Sequence, residues 1–350
     1  MTVDRVEMRL HQFQLPLRHA FGISRFTHSV QPSLIVELID GVHSGYGEAT
    51  TDPYYQTSLE SMAAAAESAR EVVEQTGWEH PRVLWEALEQ PLLGESFVRC
   101  AIDQAAYDLW GKRQGYPTHK LLELDVSQCP SSSYTIGLDD IAVMVSKIRE
   151  EPDWPIYKIK LGTDHDLQII EELRKHSEAV FRVDANCAWT ARQAIEHSHQ
   201  LRDLGVEFIE QPLRADDWEG ARSVYQKSAL PIIADEACLI ASDIAKCANH
   251  FHGVNIKMIK CGGITPALDM ISHARDLGLK VMLGCMTEST VGISAIAQLL
   301  PLLDFADIDG ANLLAEDIAS GVKVERGRCR FPRHSGNGVT DFRSDFSSER

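Results

Sequence analysis

Beyond residue 130 the chain settles into a repeating pattern, in which short apolar runs alternate with stretches whose apolar residues recur at helical spacing. The runs occupy residues 133–137, 156–161, 180–184, 206–210, 231–235, 253–257, 280–284 and 305–309. Between them lie helical stretches such as 166–175, 191–204 and 266–277, and Thr190 and Thr265 stand where the last two need amino caps. This alternation is the signature of parallel βαβ units, and its repeat of roughly 20 to 30 residues is what a strand, a helix and two loops require. Eight such runs suit an α/β barrel.

The earlier part of the chain reads differently. Residues 34–39 are apolar and β-branched, Gly41 marks a turn, and 58–73 and 97–113 have helical patterning, which together predict an α+β layer. A chain of 350 residues exceeds what one core usually organises, so the expected division is a smaller domain over 1–125 and a barrel over 126–315. The tail after Gly327 is polar and glycine-containing, as expected of a closing strand followed by frayed residues.

Composition narrows the function. With 34 basic and 51 acidic residues the formal charge is −17, which repels nucleic acid and anionic membranes. The amino terminus has no apolar signal-peptide core, and the longest uncharged apolar stretch, 291–303, is too short to span a bilayer and contains Pro301. A cytoplasmic protein is expected. Its eight cysteines form no CxxC pair and no Cys/His ligand spacing, so reduced thiols are the default.

The chemistry lies at the ends of the runs, which close on Lys160, Asp184, Glu210, Asp235, Lys257, and Asp307 with Asp309. In a barrel the carboxyl ends of all strands converge on one mouth, so these scattered charges become neighbours. Asp184, Glu210 and Asp235 offer only oxygen, which suits a hard cation such as Mg²⁺ rather than zinc. Residues two apart on a strand share a face, so of Asp235 and Glu236 only one is expected in the mouth, and spacing alone does not choose. The same rule puts Lys158 beside Lys160, where each ammonium should disfavour charge on the other and lower the pKa of the deeper lysine towards that of a general base. Lys257, about halfway round the barrel, should face Lys160 across the pocket. Lys260 should point away and serve structure.

Tyr157-Lys-Ile-Lys-Leu-Gly162, Val183-Asp-Ala-Asn186, Ile209-Glu-Gln-Pro-Leu213, Ile233-Ala-Asp-Glu236 and Asn255-Ile-Lys-Met-Ile-Lys-Cys-Gly-Gly263 together resemble the enolase superfamily, in its muconate lactonising enzyme subgroup, over essentially the whole chain. The resemblance implies a modified (β/α)₇β TIM-type barrel under an α+β capping domain built from both chain ends, with residues 316–350 returning to the cap. It implies Mg²⁺ on Asp184, Glu210 and Asp235, and Lys160 and Lys257 as the two acid/base groups. A carboxylate substrate would then lose its α-proton to one lysine, pass through a metal-stabilised enediolate and regain a proton from the other, which inverts the centre.

Asp307 and Asp309 look like the Asp-x-Asp element by which dipeptide epimerases of the subgroup hold a free α-ammonium, and Cys285-Met286 is similar to their Cys-Met segment. Thr135, Lys158 and Arg25 complete the substrate-binding positions that the resemblance implies; the Arg25 loop matches that of the L-Ala-D/L-Glu epimerases, and Tyr54-Tyr55 is a second candidate for side-chain selection. Other chemistries of the subgroup, N-acylamino acid racemisation, o-succinylbenzoate synthesis and cycloisomerisation, use substrates without an ammonium, against which two buried acids would be costly. A non-catalytic carboxylate-binding relative is the alternative outside enzymes. The resemblance also suggests a homo-oligomer. One departure is Cys187-Ala188, where the family commonly carries a more polar pair, so the hydrogen bonding behind the metal ligands should differ.

Overall fold

The computed structural model describes residues 5–346. Three strands, β1 (Glu7–Gly22), β2 (Thr27–Ile39) and β3 (Ser44–Thr50), form an antiparallel meander that extends the expected strand at 34–39 in both directions along the chain. Helices α1 (Leu59–Gln75), α2 (Pro81–Ala87), α3 (Ser96–Gln114) and the single turn α4 (Thr118–Leu121) follow. Ser58 starts α1 with a capping box closed by Ser61, and α3 stops at Gly115, whose φ of 74° only glycine adopts freely. The core of this layer forms where α3 lies on β3. Gly45 and Gly47 permit it, since a Cβ on either would run into the Ala105 or Ala101 carbonyl of α3.

The barrel then runs through β4 (Tyr134–Ile136), α5 (Ile141–Glu150), β5 (Ile156–Lys160), α6 (Asp166–Arg174), β6 (Val180–Asp184), α7 (Ala191–Asp203), β7 (Val206–Glu210) and α8 (Trp218–Lys227). It continues with β8 (Ile232–Ala234), α9 (Asp243–Cys247), β9 (Gly253–Ile256), α10 (Met258–Cys261), α11 (Ile264–Asp276), β10 (Lys280–Gly284), α12 (Thr290–Ala297) and β11 (Phe305–Asp307). Each apolar run of the sequence is one parallel strand, and the strands pair in chain order from β4 to β11. Ser133 N donates to Ala306 O at 3.2 Å and brings the first strand back to the last.

Below the mouth the barrel is filled by Phe208, Ile233 and Met282 with Phe305 against them, and the Arg182 guanidinium lies over the Phe208 and Phe305 rings at 5.2 and 5.0 Å. These residues stand two positions before Glu210, Asp235, Gly284, Asp307 and Asp184, so the period of a strand raises the polar layer directly above the apolar one. Register does the rest, pairing Lys160 with Asp184 and Asp184 with Glu210 across neighbouring strands.

Two expectations change. Thr190 caps α7 through a capping box with Gln193, but Thr265 does not cap α11. That helix begins after Gly263, whose φ of 130° turns the chain into it, and Thr265 in its first turn instead donates its hydroxyl to buried Asp103 of α3 at 2.8 Å. The tail also returns otherwise than as a strand. β12 (Lys323–Glu325) and β13 (Arg328–Arg330) pair only with each other, and the return is made by irregular chain, with Gly336 bridging Pro117 and Phe342 packing on Phe13 and Tyr46. The fraying expected of the last residues falls, for 347–350, outside the described residues. Among the described residues no helix is long and apolar enough to cross a membrane.

Because the two glycines of β3 set how closely α3 approaches, Gly47→Ala should force helix and sheet apart and lower stability by about 1–3 kcal/mol in urea unfolding. Unchanged stability would contradict this packing argument.

Candidate active site

Asp184 and Glu210 are the last residues of β6 and β7, and Asp235 follows β8 directly. One oxygen of each lies within 4.8 Å of the others, and all three residues are buried. Lys160 Nζ donates to Asp184 Oδ2 at 2.7 Å, Lys257 Nζ to Asp235 Oδ2 at 2.9 Å, and Asn255 Nδ2 to Glu210 Oε1 at 2.8 Å. Burial pushes all three acids upward. At Asp184 the charges of Lys160 and Lys158 outweigh it and hold the group at about 2, and at Asp235 those of Lys257 and Lys260 hold the group well below the ordinary carboxylate value. Glu210 loses that contest: burial and then Asp184 raise it to about 7. Its Oε2 finds no donor in hydrogen-bonding geometry, although Lys158 Nζ approaches to 2.7 Å. Three converging carboxylates, one of them raised by burial and by its neighbours' charge, form a set that a divalent cation fits.

The segments that follow Asp184 and Glu210 are bent sharply. Asn186, Cys187 and Gln211 hold φ of 44°, 67° and 33°, unusual for residues with side chains and sited at once after Asp184 and Glu210. Backbone bonds keep them there, with Cys187 N donating to Gln211 O at 2.8 Å. Gln211 in turn accepts through Oε1 from Asp235 N and Ala237 N, tying the second ligand strand to the third.

Lys160 and Lys257 flank this cluster from β5 and the end of β9, four strands apart in an eight-stranded sheet, and both line one cavity of about 340 Å³. Lys158 departs from expectation. It is 1% exposed, and its Nζ sits 2.8 Å from Asp307 Oδ2, 2.7 Å from Glu210 Oε2 and 3.2 Å from Asp184 Oδ2. Burial lowers its pKa, but Asp307, Glu210 and Asp184 together hold it well above the usual lysine value. The neighbouring ammonium is overruled by acids from other strands, so this deeper lysine stays charged instead of becoming a base. Lys257 is raised for the same reason, with Asp235 as the main partner against burial. Lys260 does not point away: its Nζ donates to Asp235 Oδ1 at 2.5 Å and to the Asp235 and Cys238 carbonyls at 2.6 and 3.1 Å.

Asp307 and Asp309 line the same cavity, with Asp307 joined to Glu210 and Asp184 through Lys158. Asp307 accepts from Ser133 Oγ at 2.6 Å and from Lys158, which hold it below the usual carboxylate value against burial. Asp309 accepts from the Thr135 amide at 2.6 Å and hydroxyl at 3.1 Å, and burial with the Asp307 charge raises it to about 7. Cys285 and Met286 line the same space, with Met286 Sδ 3.9 Å from Lys257 Nζ.

The cap closes the cavity. Arg25, on the turn between β1 and β2, donates to Glu236 Oε1 at 2.7 Å and to Asn186 O at 3.3 Å, and its guanidinium lies 4.2 Å over the Tyr54 ring. Both Asp235 and Glu236 therefore reach the mouth. Strand alternation does not bind them, since β8 ends at Ala234. Phe21, Ile23, Phe26, His28 and Tyr55 add apolar and aromatic wall. Nothing periodic in the sequence marks these cap residues, whereas Asn255 could have been found, two positions before Lys257 on the same face of one strand.

Residues 140–341 match the family model for the enolase C-terminal domain-like fold, and residues 5–123 match that for the mandelate racemase / muconate lactonizing enzyme N-terminal domain. The chain belongs to the enolase superfamily. It is 51% identical over 335 residues to the L-Ala-D/L-amino acid epimerase of Flavobacterium johnsoniae, covering 96% of this chain and 99% of that one. It is 35% identical over 341 residues to the L-Ala-D/L-Glu epimerase of Bacteroides thetaiotaomicron, over 96% and 88% of the two chains. A dipeptide epimerase from Enterococcus faecalis, solved with Mg and L-Leu-L-Tyr, superposes with a TM-score of 0.89 at 28% identity, over 97% of this chain and 100% of that one.

The structure also shows what Cys187-Ala188 does. The bonds behind the ligands come from backbone at 187 and 188, with Ala188 N donating to Ala185 O at 3.0 Å, so these positions ask little of their side chains. Asn255 is more exacting, as the group that orients Glu210. Asn255→Leu should weaken magnesium binding, measured by isothermal titration, by roughly 10- to 100-fold; undiminished affinity would show that Asn255 does not position the ligand.

Proposed function

We propose that the chain is a dipeptide epimerase that inverts the α-carbon of the C-terminal residue by two-base proton transfer. The observation that carries this reading is Asp309. It faces the cavity with the Thr135 amide and hydroxyl, both neutral, as its donors. A ligand that spans the cavity with a carboxylate at the triad and an ammonium at Asp309 matches both ends, and the ammonium itself supplies the charge that would keep Asp309 ionised. The similarity to the epimerases of Flavobacterium and Bacteroides supports the same reading.

A magnesium ion held by Asp184, Glu210 and Asp235 would neutralise the substrate carboxylate, stabilise the charge that develops when the α-proton leaves, and draw on the Asp184 and Asp235 oxygens to which Lys160 and Lys257 now donate. Lys160 and Lys257 then act from opposite sides, one removing the α-proton and the other returning one to the opposite face. Lys158 keeps Asp307 and Glu210 in place between the metal end and the ammonium end. Lys260 fixes Asp235 from beneath, leaving its other oxygen directed at Lys257 and the cavity. Arg25, already balanced by Glu236 and stacked on Tyr54, walls the region of the epimerised side chain together with Phe21, Ile23 and Phe26.

Proton exchange in D₂O tests the two bases separately. Lys160→Ala and Lys257→Ala should each lose at least about 100-fold in dipeptide epimerisation, while each still exchanges the α-proton of one epimer, a different one in the two variants. Equal exchange of both epimers by either variant would rule out the assignment. Asp309→Asn should weaken dipeptide binding by about 2 kcal/mol or more, read as KM, because the substrate ammonium loses its charged partner; an unaltered KM would remove Asp309 from the subsite.

A further inference from the structure

Two buried acids outside the proton-transfer machinery meet across the seam between cap and barrel. Glu48, in β3, reaches over the seam to the start of α12, where its carboxylate accepts from Ser289 Oγ at 2.6 Å, Ser289 N at 3.0 Å and Gly292 N at 2.9 Å. On its own side it accepts from Ser33 Oγ at 2.7 Å. Glu288 comes from the barrel, and its Oε1 accepts from Met286 N at 2.8 Å, which closes residues 286–288 into a turn. Its Oε2 occupies the place a Gly292 Cβ would take, and Glu48 Oε2 lies 3.1 Å from the same place. The two carboxyl groups share the space that the glycine leaves.

That turn lies between the reacting groups. Met286 touches Lys257 through sulfur, and the turn packs on Gly310, next after Asp309, where a Cβ would come within 2.5 Å of Met286 O and 2.8 Å of Glu288 N. A shift in the turn therefore moves the surroundings of a lysine and of the proposed ammonium site together.

The two acids are not equivalent. Burial raises Glu48 as well, but two hydroxyls, two amides and the positive end of a helix work against that rise and support a negative charge. Glu288 has one amide. Burial and then the nearby Glu48 push it up to about 8, against the opposing pull of Met286 N and Lys257. The other titratable groups facing the pair are Cys100 of α3 and Cys285 after β10, both thiols that burial keeps neutral.

We propose that Glu288 is a positioning residue for the reaction: set against Glu48 across Gly292, it fixes the turn between Lys257 and Asp309 while it is uncharged, and its ionisation loosens that turn. The catalytic part of this proposal rests on the dipeptide epimerase reading; the paired acids do not. A buried acid raised above its unfolded value favours the folded state while protonated, so its contribution is full below the ordinary carboxylate range and drains away as pH rises to about 8.

The test compares native protein, Glu288→Gln and Glu48→Gln, following melting temperature and the pH dependence of dipeptide epimerisation from about pH 6 to 9.5. Native protein should lose melting temperature from pH 6 to about 8 and level off above, and its kcat/KM should fall with a midpoint near pH 8, mainly through KM. Glu288→Gln imitates the protonated acid, so it should retain activity within about threefold at neutral pH, flatten the melting curve and move the fall in kcat/KM upward by at least about one pH unit. Glu48→Gln removes the charge that adds to burial, so Glu288 should ionise at lower pH and the loss of melting temperature over this range should shrink. Melting curves and activity profiles that keep the native pH dependence in both variants would overturn the proposal. Failure of native protein to epimerise any dipeptide would sink the functional reading instead, and the melting comparison would still decide whether the pair exists.

Discussion

Charge at the barrel mouth has to be balanced strand against strand, because the carboxylates there are buried and repel one another at short range. Lys160 answers Asp184, Lys257 and Lys260 answer Asp235, and Lys158 serves Asp307 and Glu210 at once. Removing one partner of such a buried pair costs about 3–5 kcal/mol, so the arrangement works only if every strand presents its group at the right height. The eight-stranded register and the apolar layer of Phe208, Ile233 and Met282 beneath it supply that height. Two positions remain unfavourable within the chain: Glu210, which burial and Asp184 raise even with Lys158 beside it, and Asp309, with only neutral donors from Thr135. The proposed metal and the substrate ammonium are what would complete them.

The cap takes part in the same balance. Arg25 meets Glu236 above the ligands, and Glu48 enters the barrel at the start of α12. Asp103 of α3 likewise accepts from the Thr265 amide at the start of α11. Acids of the cap thus sit at the first turns of barrel helices, where free amide groups and the helix dipole favour negative charge. Domain seating and site geometry are coupled through these contacts, since α12 follows directly on the turn that carries Cys285 and Met286.

The sequence made much of this visible because parallel strands are short and apolar, and because charge at their carboxyl ends breaks the pattern. Lys160, Asp184, Glu210, Asp235, Lys257 and Asp307 stood out for that reason. What stayed hidden depends on neighbours from other strands. Beside Lys160 the deeper lysine is expected to have a pKa lowered towards that of a general base, and the acids that reverse this at Lys158, Asp307 and Glu210, come from β11 and β7. Glu236 was weighed against Asp235 by strand alternation, which no longer holds once the strand has ended. Thr265 carried a capping side chain, but the backbone freedom of Gly263 set where the helix starts. The cap's wall of Phe21, Ile23 and Phe26 lies on irregular chain, where side-chain direction follows from tertiary contacts and no period reveals it.

Within the superfamily, the account turns on whether the ligand brings an ammonium. The most direct measurement is mass spectrometry of a pooled dipeptide library, mixed with the N-acetylated form of each member and incubated with enzyme and Mg²⁺ in D₂O, reading deuterium at the C-terminal α-carbon. The account requires uptake in free dipeptides and little or none in their N-acetylated forms. Uptake confined to the N-acetylated members would contradict it and make the chain a racemase of N-acyl amino acids.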